Sequence, residues 1–352
     1  MNIQDLLKIT YEKEASDLHL IVGNPPTLRI DGVLKPLVEL PPLTEETIQE
    51  LVFSLLNQEQ KEILNVNREL DFSFELTGQA RFRVNAYHQK GTMAASLRLV
   101  PFKVKTLDEL KLPQICHRFA DLKQGFILIT GPTGHGKSTT LAAILNEINQ
   151  ERAEHIVTIE DPIEFILPPG KSIISQREVH ADTHSWDISL RSCLREDPNV
   201  VLIGEMRDYE TIASALTIAE TGHLVFATLH TNSAAQTIDR IVDVFPEHSK
   251  TQVRMQLSFI IEAVLSQRLI PSLKGGRVVA TEIMVATPAV KTSIRDGKSH
   301  MIDNIIQTSA ELGMKTLETD LIRLIKEGEI SLETAKAYAL RPEDLMRNLR
   351  EK

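Results

Sequence analysis

The hydrophobic pattern changes near residue 100 of this 352-residue chain. Before that point, apolar residues recur at helical spacing, as at positions 3, 6 and 7, or alternate with polar residues, as in LRIDGV at 28–33 and RFRV at 81–84. These patterns predict an amphipathic helix and half-buried strands, because successive side chains of a strand point to opposite faces. We therefore expect an α+β domain over residues 1–100, followed by a linker at 101–108.

Continuous apolar runs replace this alternation in the second part of the chain. They read FILIT at 126–130, HIVTI at 155–159, VVLI at 200–203 and LVFAT at 224–228, with helical stretches between them. Strands of this kind are buried on both faces, so the pattern predicts a parallel sheet whose ligand site lies at the carboxyl ends of its strands. We assign residues 109–271 to this α/β domain.

The chain after residue 271 is predicted to be mostly helical, and we treat residues 272–352 as a separate region. Its clearest signal is an apolar stripe at helical spacing, which is expected to pack into a domain core rather than bind a partner. Gly328 is the expected helix stop. The stripe consists of Leu317, Leu321, Leu324 and Ile325.

The first apolar run leads directly into GPTGHGKS at 131–138, which fits the phosphate-binding pattern G-x-x-x-x-G-K-[ST]. The glycines allow the backbone to curl around a phosphate, and the following helix begins with unpaired N–H donors. Lys137 is expected to reach the β- and γ-phosphates of ATP, and the Ser138 hydroxyl to ligate Mg²⁺. The predicted nucleotide-binding residues are Gly131, Pro132, Thr133, Gly134, His135, Gly136, Lys137, Ser138 and Thr139.

Acidic residues and a histidine follow the other apolar runs. Glu160, Glu164, Glu205 and His230 should converge on the phosphate loop if the sheet is parallel. Glu160 and Glu164 compete with Glu205 for orienting and deprotonating the attacking water, and we favour Glu164, since Glu160 is equally compatible with a helix cap. Glu205 is also expected to hold Mg²⁺ through water, and His230 to donate to the γ-phosphate.

Composition argues against two classes of partner. A net charge of −9, a pI near 5.7 and 5% aromatic residues disfavour a nucleic-acid motor, which usually needs a basic face interleaved with aromatic residues. No uncharged apolar run approaches the ~18 residues of a membrane span, so we expect a cytoplasmic protein. Cys116 and Cys193 are expected to be buried apolar residues without chemistry.

The order of these segments resembles the secretion ATPase superfamily, and most closely the type IV pilus retraction ATPases of the PilT type. The segments are GPTGHGKSTT, TIEDPIEF, QREVHADT, LREDPNVVLIGEMRD and AETGHLVFATLHTNSAAQTIDRIVDVFP. In that family they form the Walker A motif, the Asp box, an atypical Walker B motif and the His box. The resemblance extends along nearly the whole chain, including ASDLHL at 15–20 and ARFRVN at 80–85.

The resemblance implies an N-terminal PAS-like domain, a short linker and a RecA-like ATPase domain. Family members form homo-hexameric rings at the cytoplasmic face of the inner membrane, where they work with an integral platform protein and in some cases a paralogous ATPase. ATP hydrolysis with Mg²⁺ then drives pilus disassembly. In similar proteins, arginines of the first domain approach the γ-phosphate of a neighbouring module, which points to Arg83 and Arg98 as catalytic candidates.

This sequence departs from the family pattern at two places. His135 stands where the family usually has Ser, and AVKTSIRD at 289–296 only approximates the retraction-associated box AIRNLIRE. Two other functions therefore stay open besides the retraction motor. One is an accessory or paralogous motor for a related secretion or competence fibre, and the other is a ring subunit that binds ATP with little hydrolysis.

Overall fold

A computed structural model describes residues 2–30, 32–76, 80–100 and 104–350. The chain divides into two compact units. The first contains the described residues up to 100 together with Glu164–Ile166, and the second contains residues 104–163 and 167–350. The predicted linker at 101–108 lies partly outside the described residues, while its residues 104–108 belong to the second unit.

The first unit is an antiparallel sheet with three helices within the described residues. Its strand order is β3-β2-β1-β6-β5-β4. Inward-facing side chains such as Leu18, Phe82, Val84 and Leu97 form one core with the apolar faces of the helices. The elements are α1 (Ile3–Glu12), β1 (Asp17–Ile21), β2 (Thr27–Ile30), β3 (Val33–Pro36), α2 (Glu45–Phe53), α3 (Gln58–Asn67), β4 (Glu69–Leu76), β5 (Ala80–Gln89) and β6 (Thr92–Val100).

The run at 28–33 is not the single strand that its alternation predicts. Strand β2 ends at Ile30, β3 begins at Val33, and these two residues pair across an antiparallel hairpin. Gly32 adopts a φ of 80°, a conformation that favours glycine and suits a tight hairpin turn. Asp31 lies outside the described residues. An Asp-Gly step between alternating residues is a hairpin signal that takes precedence over the alternation.

The second unit is built on a sheet of order β13-β12-β7-β11-β10-β8-β9. All neighbouring strands pair in parallel except β12 and β13, which are antiparallel. The four predicted apolar runs are confirmed as β7, β8, β10 and β11. The strands are β7 (Gly125–Thr130), β8 (His155–Glu160), β9 (Ile173–Glu178), β10 (Val200–Ile203), β11 (Leu224–Leu229), β12 (Ile261–Pro271) and β13 (Arg277–Val285).

Helices cover both faces of this sheet, so successive side chains of one strand point into two different hydrophobic cores. Phe126 and Leu128 of β7 belong to one cluster of buried residues, and Ile127 and Ile129 to the other. The helices are α4 (Ile115–Asp121), α5 (Lys137–Glu151), α6 (Trp186–Cys193), α7 (Tyr209–Glu220), α8 (Ala234–Asp243), α9 (Lys250–Ile260), α10 (Pro288–Arg295), α11 (Ile302–Thr308), α12 (Leu317–Lys326), α13 (Leu332–Tyr338) and α14 (Pro342–Arg350), with 3-10 turns at Glu247–Ser249, Ser299–Met301 and Ala310–Leu312.

The region after residue 271 begins with a strand rather than a helix. Strand β13 pairs with β12, so the boundary predicted at 271 falls within a hairpin, and residues 272–350 belong to the second unit. The stripe on α12 is confirmed as core, because Leu317, Leu321 and Leu324 are buried and Ile325 packs against them. Helix α12 ends at Lys326, followed by Gly328 with a φ of 66°.

Both cysteines are buried, as expected. Cys116 on α4 and Cys193 on α6 are fully enclosed, and burial raises the pKa of each thiol to about 12. A thiol with so high a pKa is a weak nucleophile at neutral pH because it is protonated. Among the helices that the structure describes, none has the length and low charge needed to cross a bilayer.

Candidate nucleotide-binding site

The phosphate loop connects the last residue of β7, Thr130, to the first residue of α5, Lys137. Gly136 has a φ of 82° and is the N-cap of α5, where no side chain caps the helix. Gly131 has a φ of 138°, and a Cβ atom there would come within 2.3 Å of the Gln267 carbonyl oxygen. Glycine is therefore required at both positions, and the loop leaves the first N–H groups of α5 available to an anion.

The Lys137 side chain curls over this loop. Its Nζ atom donates to the Gly131 carbonyl at 2.8 Å and to the Pro132 carbonyl at 3.1 Å, and the side chain is largely buried. The same Nζ lies 3.4 Å from His230 Nδ1. A positive charge is thus held at the loop, where phosphate oxygens would lie. Ser138 and Thr139 follow as the next residues of α5, both partly buried.

Glu205 lies just beyond the end of β10 and is held from two sides. Its Oε2 atom accepts a hydrogen bond from Arg207 Nη2 at 2.8 Å, and its Oε1 atom lies 2.8 Å from His230 Nε2. Burial raises the pKa of Glu205, but the Arg207 hydrogen bond and the nearby positive charges outweigh burial. The pKa of Glu205 is therefore below its usual value, and the carboxylate is ionised at neutral pH.

His230 follows β11 and joins the acid to the phosphate loop. Its Nε2 faces the Glu205 carboxylate, so that nitrogen carries the ring hydrogen. Its Nδ1 then presents a lone pair to Lys137 Nζ and to Thr133 Oγ1, each at 3.4 Å. The second unit thus brings together four of the predicted residues: Thr133, Lys137, Glu205 and His230.

The other predicted carboxylates are placed differently. Glu160 Oε1 accepts hydrogen bonds from Thr158 Oγ1 at 2.7 Å and from Gln176 Nε2 at 3.3 Å, which favours a structural role at the end of β8. Glu164 lies on the exposed loop after β8 and groups with the first unit. The role of Glu164 in orienting water therefore stays a prediction.

Arg83 and Arg98 lie opposite each other on β5 and β6 of the first unit. Arg98 Nε donates to Asp17 Oδ1 at 2.9 Å, and Arg83 Nε lies 4.0 Å from Asp71 Oδ1. The four side chains line an open cavity of about 350 Å³. Both arginines stay more than one-third exposed, at 44% for Arg83 and 70% for Arg98, so the guanidinium groups are accessible to an anion.

Sequence reasoning missed three contributors to this site. Arg207 orients Glu205, while Gln267 and Leu269 of β12 contact the loop at His135. Arg207 could have been found from the sequence, because it is only two residues from Glu205. Gln267 offers only a weak signal, because it is one of several polar residues in β12 and its partner His135 is 132 residues away.

His135 is fixed by β12 rather than exposed on the loop. Its Nδ1 atom accepts a hydrogen bond from the Leu269 backbone N–H at 3.0 Å. Burial lowers the pKa of His135, and the charges of Arg268, Lys137 and Arg277 lower it further. The ring is therefore neutral at pH 7, as an accepting nitrogen requires. Histidine at this variable position of the loop adds an anchor to the neighbouring strand.

The second unit combines a parallel sheet and a glycine-rich phosphate loop with a buried lysine, an adjoining acid and a histidine. These features define a P-loop nucleotide-binding protein. The chain belongs to the family described as Type II/IV secretion system protein, which matches residues 2–337. This family membership places the chain among the secretion ATPases.

Two curated relatives and one solved structure are similar over most of their length. The type IV pilus retraction ATPase PilT of Pseudomonas aeruginosa is 49% identical over 344 residues, covering 98% of this chain and 100% of the relative. A twitching motility protein of Neisseria gonorrhoeae is 48% identical over 321 residues, covering 91% and 86%. The crystal structure of the pilus retraction motor PilT with bound ADP superimposes with a TM-score of 0.92 at 45% identity, covering 99% of both chains.

Proposed function

We propose that this chain is the ATP-hydrolysing subunit of a motor that retracts a type IV pilus and so supports twitching motility. The contacts from Lys137 through His230 to Glu205 carry the proposal, since they join a phosphate-binding lysine to an acidic side chain at one loop. Near-full-length similarity to PilT of Pseudomonas aeruginosa and to the ADP-bound PilT structure supports both the nucleotide and the direction of force.

Phosphoryl transfer to water needs positioning and charge stabilisation more than covalent chemistry. In our proposal, the loop N–H groups and Lys137 bind the ATP phosphates, and Ser138 would hold Mg²⁺ together with Glu205 acting through water. Mg²⁺ would neutralise charge on the β- and γ-phosphates. Glu164 remains our preferred residue for orienting the attacking water, with Glu205 as the alternative. His230 donates to the γ-phosphate from Nδ1 when the ring carries a second proton, because its Nε2–H faces Glu205.

The remaining parts of the proposal concern assembly. The subunits form a homohexamer at the cytoplasmic face of the membrane, where the ring works with an integral pilus platform protein and in some cells with a paralogous ATPase. Arg83 and Arg98 act on nucleotide in the assembled ring, where a guanidinium offsets transition-state charge only after modules close. Nucleic acid is not expected as a partner, given the net charge of −9.

The first test is the steady-state rate of ATP hydrolysis across a series of protein concentrations, with Lys137→Ala as the blank. We expect a Lys137-dependent rate per subunit that rises as the subunits assemble. ATP binding without hydrolysis above the blank would instead identify a nucleotide-gated ring subunit. In cells whose only copy is Lys137→Ala, we expect surface pili to persist and twitching to stop. Intact twitching would favour an accessory motor or a motor for another fibre.

A further inference from the structure

Strand β12 carries two buried polar side chains directly beside the strand that leads into the phosphate loop. Ser266 and Gln267 are 3% and 1% exposed, and Ser266 pairs in register with Thr130 of β7. Burying an amide in a sheet core is unfavourable unless its hydrogen-bonding groups find partners. The partners of Gln267 therefore indicate what this residue does.

Both ends of the Gln267 amide are engaged, and both partners belong to the phosphate-binding segment. Its Nε2 atom donates to the His135 carbonyl oxygen at 2.7 Å. Its Oε1 atom accepts from Thr140 Oγ1 in the first turn of α5 at 2.9 Å. One side chain thus joins the backbone of the loop to the helix that follows the loop. The Leu269 N–H bond to His135 Nδ1 adds a second link from β12 to the same residue.

The bond to the His135 carbonyl fixes the direction of a peptide group. In a trans peptide, the C=O of one residue and the N–H of the next point in opposite directions. Holding the His135 carbonyl against β12 therefore turns the Gly136 N–H away from β12. Gly136 is the N-cap residue of α5, where backbone N–H groups bind an anion.

We infer that Gln267 is a positioning residue for the nucleotide phosphates. By holding the His135 carbonyl, it aims the Gly136 N–H into the loop, while its bond to Thr140 satisfies the other end of the buried amide. This inference rests on the proposed function, because it assumes that the loop binds a nucleoside di- or triphosphate. Gln267 does not contact the phosphates; it acts through the 135–136 peptide.

The test compares variants that break different halves of this arrangement. Gln267→Leu removes both hydrogen bonds, whereas Thr140→Val removes only the bond to α5 and leaves the bond to His135. Ser266→Ala is the matched control, since it removes a buried hydrogen bond of the same strand to Thr130 Oγ1. For each full-length protein, the affinity for ADP, the KM and kcat for ATP and the melting temperature without nucleotide are measured.

We expect Gln267→Leu to weaken ADP binding and raise the KM for ATP by about tenfold or more, the effect of losing one well-placed hydrogen bond to an anion. Thr140→Val and Ser266→Ala should change ADP affinity by less than about threefold. Their melting temperatures should fall by less than that of Gln267→Leu, which loses two buried hydrogen bonds, so ADP affinities are compared at a temperature where every variant is folded. Equal ADP affinity in Gln267→Leu and Ser266→Ala would overturn the inference.

A second variant keeps the test decisive if Gln267→Leu does not fold. In Gln267→Glu, only the protonated acid can donate to the His135 carbonyl, so ADP affinity relative to wild type should recover as the pH falls. The usual pKa of glutamic acid is about one unit below pH 5.5, and burial at position 267 raises it. An unchanged ratio of the two affinities between pH 8 and pH 5.5 would therefore contradict a donor role. Failure of the wild-type chain to bind ADP would overturn the proposed function itself, which the wild-type measurement distinguishes from failure of the Gln267 variants alone.

Discussion

His230 Nε2 lies 2.8 Å from Glu205 Oε1, while the opposite ring nitrogen of His230 faces Lys137 Nζ at 3.4 Å. The imidazole therefore stands between a carboxylate and an ammonium group. Any movement of the lysine toward a phosphate changes the charge that the ring faces, and the ring in turn changes the field at Glu205. A histidine in this place can couple the presence of a phosphate to the position of the acid.

Replacing the acid should separate binding from hydrolysis. Glu205→Gln keeps the shape of the side chain but removes its charge, so we expect ATP hydrolysis to fall by about 10²- to 10⁴-fold while ADP affinity changes by less than about twofold. Steady-state kinetics and equilibrium binding measure the two effects. Glu164→Gln is the parallel variant, and full activity of Glu205→Gln alongside an inactive Glu164→Gln would remove Glu205 from the chemical step.

The proposed role of Arg83 can be tested by mixing two inactive proteins. Arg83→Ala lacks the guanidinium, and Lys137→Ala lacks the phosphate-binding ammonium. If Arg83 serves a nucleotide bound by another subunit, mixed rings contain some sites with both groups, and part of the hydrolysis rate should return. Arg98→Ala mixed with Lys137→Ala tests the second arginine in the same way.

The control for this experiment is a mixture of Lys137→Ala with Lys137→Met, which cannot build a complete site and should stay inactive. The outcome against this role is that Arg83→Ala and Lys137→Ala assemble normally together but hydrolyse ATP no faster than each protein alone. Arg83 would then act within its own subunit or only in folding.

Arg341 should be important for the stability of the second unit. Its guanidinium lies 2.6 Å from Asp303 Oδ2, and 3.7 Å from both Glu282 Oε2 and Glu318 Oε2. Both glutamates are almost fully buried, at 1% and 2% side-chain exposure. Arg341→Met removes the cation that lies 3.7 Å from both glutamates, and we expect a loss of about 3–5 kcal/mol in the free energy of unfolding.

Urea denaturation measures this loss, and the matched control is Arg347→Met. Arg347 bonds to Asp344 at 2.7 Å, but its side chain is 62% exposed, so its removal should cost less than about 1 kcal/mol. Equal losses for the two variants would show that the buried carboxylates do not depend on Arg341.

Protonation of His117 should make the stability of the folded chain depend on pH. A hydrogen bond from His117 Nδ1 to Glu147 at 2.9 Å raises the pKa of the imidazole above its usual 6.5, although burial opposes the rise. The stabilisation is therefore complete below pH 6.5 and is lost as the pH rises through the folded-state pKa. Thermal melting of wild type and His117→Gln from pH 5.5 to 9 measures it.

We expect wild type to melt at a higher temperature than His117→Gln at low pH, with the difference narrowing as the pH rises. A difference that is constant across this range, or that widens toward pH 9, would show that protonation of His117 does not contribute to the stability of the folded chain.

The sequence was sufficient wherever a local pattern determines structure. The phosphate loop, the helix after it and the strands that bury both faces followed from glycine positions and continuous apolar runs. Strand β12 was missed because Ser266, Gln267 and Arg268 interrupt its apolar pattern. Their partners lie in the phosphate-binding segment and in residues near the ends of other elements, and only the order of strands in the sheet brings these together.

Prediction of the site residues met the same limit, because contacts between distant parts of the chain decide their roles. Glu160 ends β8 and Glu205 lies two residues beyond β10, so the two look alike in the sequence. Yet the first is bound by Thr158 and Gln176 and the second by Arg207 and His230. Which carboxylate faces the phosphate loop depends on non-local neighbours, and a strand-end acid alone does not reveal them. Whether Glu164 performs the role that we prefer for it depends on the mutant kinetics described above.

The two enclosed thiols make the chain convenient for site-specific labelling. Because Cys116 and Cys193 are its only cysteines and both are buried with a pKa of about 12, a thiol-directed dye should leave the native protein unmodified. A single cysteine introduced at an exposed position of either unit would then carry the dye without any change to the natural cysteines. Motions of the subunits during ATP turnover could be followed by fluorescence in an otherwise unaltered sequence.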